Sequence, residues 1–344
     1  MRSSFITWYP YCRRSDAIAA ALGGRSWLIH YLSFKRPLHA PLKYVLQAIT
    51  TWRTLRRDPP ELILVAVPPI FAALPAVWYA RRHGARIVID AHTGIFAHTR
   101  WRWLLPLTRA VCARADAVVV TNAHLQREVA AWGVPVVVIG DVPVAFGPGS
   151  APAACGGPRV VVVNTFSVDE PVEAVLAAAR TVSEAQFFVT GDVRAARAGW
   201  LQDRPANLAF TGFLSEEAYA GVLRAADVVV VLTTYDHTMQ RGAYEALALG
   251  KPLVTSDWPL LRETFSRGTV HVANTPEAIA AGVRKALAEG HRLRVEMQDL
   301  RQARTAVFAA RLDELLRVVG MRQGQSVVAK DTLPLTPSLA RRAH

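Results

Sequence analysis

Short apolar runs rich in Val and Ile alternate with helical patterns along nearly the whole chain. In the first half, the runs predict strands at Ser4–Tyr9, Ser26–Ser33, Glu61–Val67, Arg86–His92, Asp116–Asn122 and Val134–Gly140. The stretches between them carry a helical period at Asp16–Leu22, Leu42–Arg57, Ile70–Arg82, Arg100–Ala115 and Ala123–Trp132. The strand runs are continuous rather than alternating, as a parallel strand covered on both faces requires. After Val142–Pro158, where Pro and Gly cluster, the pattern restarts. Strands are expected at Arg159–Thr165, Gln186–Thr190, Leu208–Gly212, Asp227–Thr233, Pro252–Ser256 and Val270–Ala273. Helices are expected at Pro171–Thr181, Ser215–Ala225, Thr238–Leu249, Leu260–Ser266 and Pro276–Ala288. Ser215 before Glu216 and Glu217, and Thr275 before Pro276 and Glu277, are helix-start chemistry.

Strand–helix alternation at this spacing predicts an α/β fold of two Rossmann-like, doubly wound domains facing a cleft. The first is placed at 1–145 and the second at 158–305. A C-terminal helix is placed at 306–320, the end of a helical pattern running from His291 to Val319, and a mobile tail at 321–344. The run Leu62–Ala80 is almost wholly apolar, but Pro68, Pro69 and Pro75 interrupt it, so it reads as strand, turn and helix rather than a membrane span.

Composition adds partners to this picture. The net charge of +13 is lopsided: residues 1–150 hold 18 Lys/Arg against 7 Asp/Glu, and the remainder 22 against 20. A basic first half points to a polyanionic surface, lipid or nucleic acid. No helix-turn-helix, zinc or single-strand-binding motif supports nucleic acid. Phe96–Pro106 interleaves Arg100, Trp101, Arg102 and Trp103, which suits an anionic membrane headgroup region and equally suits a helix packed on a core. Cys12, Cys112 and Cys155 form neither a zinc spacing nor a disulfide framework, which fits a reducing compartment. No metal-ligand cluster is visible, and no secretory signal opens the chain.

Ligands of open parallel sheets bind at the carboxyl ends of the strands. The most informative such loop runs from Thr233 through Thr238, Met239, Gln240 and Arg241 to Glu245 and on to Val254. A helix starting near Thr238 would turn free N–H groups and a positive dipole end toward a diphosphate. Arg241 would add a cation, and Glu245 would accept hydrogen bonds from a ribose diol. The other reading is an amphipathic helix whose Glu245 is merely solvated. In the first half, Val88–Gly94 ends a buried run with Asp90 and His92, which read either as a general base or as loop-capping groups.

The segment from Thr233 to Val254 resembles the donor-site region of GT-B glycosyltransferases, especially family 4, the group 1 enzymes. There a Glu, seven residues and a second Glu precede an Ala-rich helix ending in Gly-x-Pro-Val. Glu245 matches the second Glu, and Gly250-Lys251-Pro252-Leu253-Val254 matches the helix end. The first Glu, tied in the family to the transferred sugar, falls on His237 here. Val160–Ser167 looks like the first strand and donor loop, with Thr165 and Phe166 in the loop. Phe188–Asp192 looks like the next strand and its turn at Gly191. Leu208–Ser215, with Gly212 and Phe213, looks like the loop that contacts the base. The Arg and Lys that many members carry after the first strand are absent from 166–173, leaving Arg241, Arg194 or Arg262 to face the diphosphate.

The resemblance implies transfer of a sugar from a nucleotide-sugar donor, without cofactor or metal, to a lipid-linked or glycan acceptor. It further implies a cytoplasmic protein, peripheral on the inner face of the membrane. A nucleotide-sugar 2-epimerase on the same fold, an inactive transferase and a basic nucleic-acid-binding protein are the alternative readings.

Overall fold

The computed structural model describes residues 1–321, except 33–38, 93, 98–100, 102, 141–143, 145, 148, 150–155 and 237. The chain forms two compact units. Unit 1 comprises Met1–Val142 together with the described residues from Ala306 onward, and unit 2 is Pro143–Thr305.

Unit 1 holds a six-stranded sheet of β1 (Ser3–Thr7), β2 (Arg25–Leu28), β3 (Leu62–Val67), β4 (Arg86–Ala91), β5 (Ala117–Val120) and β6 (Val136–Val138). The strand order is β2-β1-β3-β4-β5-β6, every pair parallel. Successive residues of each strand pack into opposite layers. Ile63 and Val65 enter one core with α2 (Ala40–Arg57) and α3 (Ala73–His83). Leu62 and Leu64 enter the other with α1 (Arg13–Ala21) and with Phe308, Leu312 and Leu315. Burial on both faces is why these strands read as continuous apolar runs. The Leu62–Ala80 run resolves into β3, a Pro-Pro turn, a short 3-10 turn at Ile70–Ala72 and the start of α3. Among the described residues no helix is long and apolar enough to cross a membrane.

Unit 2 repeats the plan with β7 (Arg159–Val162), β8 (Gln186–Thr190), β9 (Leu208–Gly212), β10 (Val228–Val231), β11 (Leu253–Ser256) and β12 (Thr269–Val272). Its order is β12-β11-β10-β7-β8-β9, again all parallel. The order reverses between β7 and β10 in unit 2, and between β1 and β3 in unit 1. At such switch points the flanking loops part and leave a crevice.

Several predicted boundaries move. The helix expected at Thr238–Leu249 is Arg241–Ala248, with Gln240 extended before it. Met239, partly buried, packs on the core of unit 2, and Thr238 is not used as the cap. Within the helix expected at Arg100–Ala115, where Arg100 and Arg102 lie outside the described residues, the structure shows a helix at Leu105–Cys112 with Pro106 in its first turn. Two short helices, Gly94–Ala97 and Ala198–Gln202, fall below the length at which periodicity is readable. The last helix is continuous from Gly290 to Val318. Its Met297 and Leu300 lie in a core of unit 2, and Phe308 to Leu316 in a core of unit 1.

Candidate active site

In unit 2 the loops after β7 and β10, at the reversal of strand order, carry Thr165, Phe166 and Thr238 to Arg241, with Gly191, Gly212 and Phe213 at the ends of β8 and β9. Beyond β7 the chain passes Asn164 and Thr165 and turns sharply at Phe166, whose φ of 60° lies in the left-handed region. A non-glycine residue there is strained and needs support. Asn164 Oδ1 accepts from the Phe166 N–H at 2.7 Å. The Glu170 carboxylate accepts from the Thr165 and Ser167 N–H groups at 2.9 and 2.8 Å, and from the Thr165 hydroxyl. Burial pushes the Glu170 carboxyl up from its ordinary value, against these bonds, which pull it down. Gly191 ends β8 against the same loop: a Cβ there would stand 2.6 Å from the Asn164 carbonyl oxygen. Phe166 in turn packs on Phe210 of β9, with ring centroids 6.0 Å apart. Gly212 follows at φ 71°, and Phe213 beyond it is 84% exposed.

The other wall is the loop after β10. The Thr233 N–H donates to Ser256 Oγ, and its hydroxyl to Asp169 at 2.8 Å. Its carbonyl accepts from Trp258 Nε1 and Asn274 Nδ2. These bonds pin the loop that carries Thr238, Met239 and Gln240 into the helix Arg241–Ala248. Gly242 lies so close to β7 that a Cβ would meet Val163 at 2.7 Å. The start of this helix, where the Ala243 N–H donates to the Gln240 carbonyl at 3.2 Å, therefore stands beside the β7 loop. Glu245 is only 4% exposed. Arg241 Nε donates to its Oε1 at 3.0 Å, and the Tyr219 hydroxyl to its Oε2. Each oxygen keeps a second lone pair. Arg194 and Arg262 carry their own carboxylates, Asp192 and Asp257. His237 lies outside the described residues.

In unit 1 Asp90, near the end of β4, is fully buried. Arg14, from the first turn of α1, donates Nε to Oδ2 at 3.0 Å and Nη2 to Oδ1 at 3.0 Å. Arg14 also reaches the carbonyls of Ile139 and Gly140 beyond β6. His92 Nε2 lies 3.0 Å from Asp90 Oδ2. Burial alone would raise the Asp90 carboxyl, but the Arg14 and His92 charges and bonds overcome it and hold it well below the usual carboxylate range. An ionised carboxylate only accepts, so His92 Nε2 is the donor in this contact.

Sequence reading missed Arg14, 76 residues from Asp90, and Tyr219, 26 residues from Glu245. It also missed Glu170, Ser256 and Asn274, whose roles are bonds to loops of other elements. The aromatic-basic stretch divides: Trp101 packs against the core of unit 1, whereas Trp103 is 71% exposed. Arg100 and Arg102 lie outside the described residues. Among the described residues no group of three or more His, Cys, Asp or Glu side chains is placed to hold a metal ion.

Two family models match the chain. Residues 157–289 match glycosyl transferases group 1, and residues 9–143 match the glycosyl transferase 4-like domain. No curated protein matches the chain. Among solved structures, the sucrose-phosphate synthase of Thermosynechococcus elongatus aligns at TM-score 0.62 and 16% identity, over 92% of this chain and 98% of that one. HepE of Anabaena, in complex with UDP-glucose, aligns at TM-score 0.62 and 14% identity, over 92% and 99%. A glycosyltransferase of Rickettsia africae aligns at 0.60 and 11%, over 92% and 97%. At these identities the likeness is one of fold, the two-domain GT-B arrangement of α/β domains.

Proposed function

The chain belongs to the group 1 glycosyl transferases, and from that premise we propose that it moves a sugar from a nucleotide diphosphate held by unit 2 to a membrane-associated acceptor, lipid-linked or a glycan precursor, met by unit 1. The observation that carries the donor half is the meeting of the loops after β7 and β10, where the strand order reverses. There a helix start stands against the β7 loop, and a buried carboxylate sits four residues into the helix.

In this reading the diphosphate lies on the amides of the helix start at Arg241, with that guanidinium beside it. Thr238, Met239 and Gln240 form the loop in front. Glu245, steadied by Tyr219 and Arg241, takes the ribose hydroxyls on its remaining lone pairs. Phe213, exposed at the end of β9, offers a face to the base. Phe166, Thr165, Gly191 and Gly212 shape the wall. No metal or cofactor takes part.

On the acceptor side His92 meets the reacting hydroxyl, and Nδ1 takes its proton as the hydroxyl oxygen bonds to the sugar C1 and the C1–O bond to the nucleoside diphosphate breaks, the diphosphate leaving with the electron pair. Asp90 holds the ring in one tautomer and stabilises the imidazolium. Asp90 itself is buried and paired, so it orients rather than reacts. The enzyme works on the inner face of the membrane, where nucleotide-sugars are made and basic proteins meet anionic lipid.

Thermal unfolding of the full chain with UDP, GDP, dTDP and ADP tests the donor site. At about a hundred times Kd, one-site binding adds roughly 2.7 kcal/mol. One nucleotide is expected to raise the midpoint, and Glu245→Ala to abolish the rise. No response to any of the four would remove the donor reading.

A further inference from the structure

Helix α2 has an unusual division of faces. Its buried row is Lys43, Gln47, Thr51 and Leu55, flanked by Tyr44, Ala48 and Trp52 packed on the core, while Leu42, Val45 and Ile49 are exposed. The inward polar side has local causes. Gln47 Nε2 donates to the Ile29 carbonyl at 2.8 Å, and Thr51 Oγ1 accepts from the Trp8 indole at 3.0 Å. Among the described residues Leu42, Val45 and Ile49 remain exposed, and a lone soluble domain gains nothing from an outward apolar side.

The neighbouring helix extends the same face. Tyr44 packs on Phe71, and Trp52 stacks on Trp78 at 4.3 Å, so α2 and α3 run side by side in one direction. On α3, Leu74 is 42% and Trp78 63% exposed. Ile49, Trp52, Leu74 and Trp78 line an almost wholly apolar groove of about 540 Å³. One turn further along both helices the surface becomes cationic, with Arg53 after Ile49 and Arg81 and Arg82 after Trp78, all exposed. Neither helix contains an Asp or Glu.

We propose that this face of α2 and α3 is where the protein docks on an anionic lipid surface. Aliphatic and indole side chains beside arginines, with no acid among them, match an acyl boundary next to phosphate headgroups. A second copy of the chain is a poorer occupant, because a two-fold contact would set arginine rim against arginine rim. Both helices follow parallel strands and begin at the carboxyl end of the sheet. Their apolar halves therefore lie toward the end of unit 1 that carries His92, and a lipid-borne acceptor would arrive there. The proposal rests on the membrane-associated reading above and adds its location, which is not the Trp101–Trp103 stretch.

The test is co-sedimentation of the full chain with phosphatidylcholine vesicles, with and without phosphatidylglycerol. The wild type is expected to bind the anionic vesicles and to release at high salt. Val45→Asp/Trp78→Glu should weaken binding by at least about tenfold. Leu42→Asp/Val45→Asp, which leaves the Trp52–Trp78 stack intact, should do the same. An unchanged thermal midpoint in each variant shows that the fold survives. Failure of the wild type to bind would overturn both the membrane reading and this location. Wild-type binding that persists in both variants, or that Trp103→Glu alone removes, overturns the location and leaves the membrane reading standing. A wild type that dimerises through this face without binding vesicles overturns the proposal in favour of a second copy.

Discussion

Asp90 shows how a single residue can serve the fold and the chemistry together. Its carboxylate lies in the interior only because Arg14 and His92 compensate the lost hydration. Asp90→Ala would leave the largely buried Arg14 guanidinium without the Asp90 counter-charge, still holding the Ile139 and Gly140 carbonyls, and is expected to cost about 3–5 kcal/mol of stability in denaturant unfolding. The pairing also has a pH signature. The folded carboxyl titrates below its unfolded value, so its stabilisation is complete above about pH 4 and falls away as pH drops toward the folded value. Asp90→Asn should flatten the acid limb of a stability–pH curve. His92→Ala should leave nucleotide-induced stabilisation intact while lowering kcat by about 10²–10⁴-fold. Full turnover in that variant would remove His92 from the reaction. Cys112 makes a separate residue-scale point. Burial pushes its thiol up to about 12, so it should resist alkylation in the native protein and react after unfolding.

The element that decides the donor site is the helix Arg241–Ala248. Its amphipathic pattern and its end at Gly250-Lys251-Pro252 are plain in the sequence. Its start is not, because Thr238 is a good cap that the chain does not use. Capping by a threonine hydroxyl contributes about 1 kcal/mol, comparable to what burial of Met239 contributes. The seating of the helix against β7 depends on Gly242. Gly242→Val would drive a branched side chain into Val163 and is expected to cost about 1–3 kcal/mol. The same shift should weaken nucleotide stabilisation more than Val163→Ala does. Equal nucleotide binding in the two variants would argue against a site at this helix start.

At the scale of the molecule, the last helix serves two cores. Its residues from Phe308 to Val319 cover the sheet face formed by Phe5, Leu62 and Leu64. Each such side chain contributes about 1.5–3 kcal/mol by burial, and several together rival the 5–15 kcal/mol of a whole domain. A stop codon after Thr305 is therefore expected to unfold unit 1. Unit 2 keeps its own cores and should still respond to the nucleotide, which differential scanning calorimetry would show as one lost transition and one retained. Loss of both responses would mean that unit 2 depends on the missing segment.

The sequence alone determined the class of fold, because continuous Val/Ile runs with helices between them have few other solutions. Strands at Gln186–Thr190 and Leu208–Gly212 and the helix at Pro276–Ala288 read true to the residue, with Gly191 and Gly212 marking the strand ends and the Thr275 cap before Pro276 the helix start. It also carried Glu245 and the Gly-Lys-Pro helix end, a pattern local enough to survive in a single stretch. Only the tertiary structure decided strand order, and with it which loops border the crevice. Only it brought Arg14 to Asp90, Tyr219 to Glu245 and Glu170 under the Phe166 turn, because those bonds join distant segments that no local spacing encodes. Helix α2 shows the limit best. Its helical period is legible in the sequence, but only the structure shows that Gln47 and Thr51 turn inward, where Gln47 donates to a backbone carbonyl and Thr51 accepts from an indole.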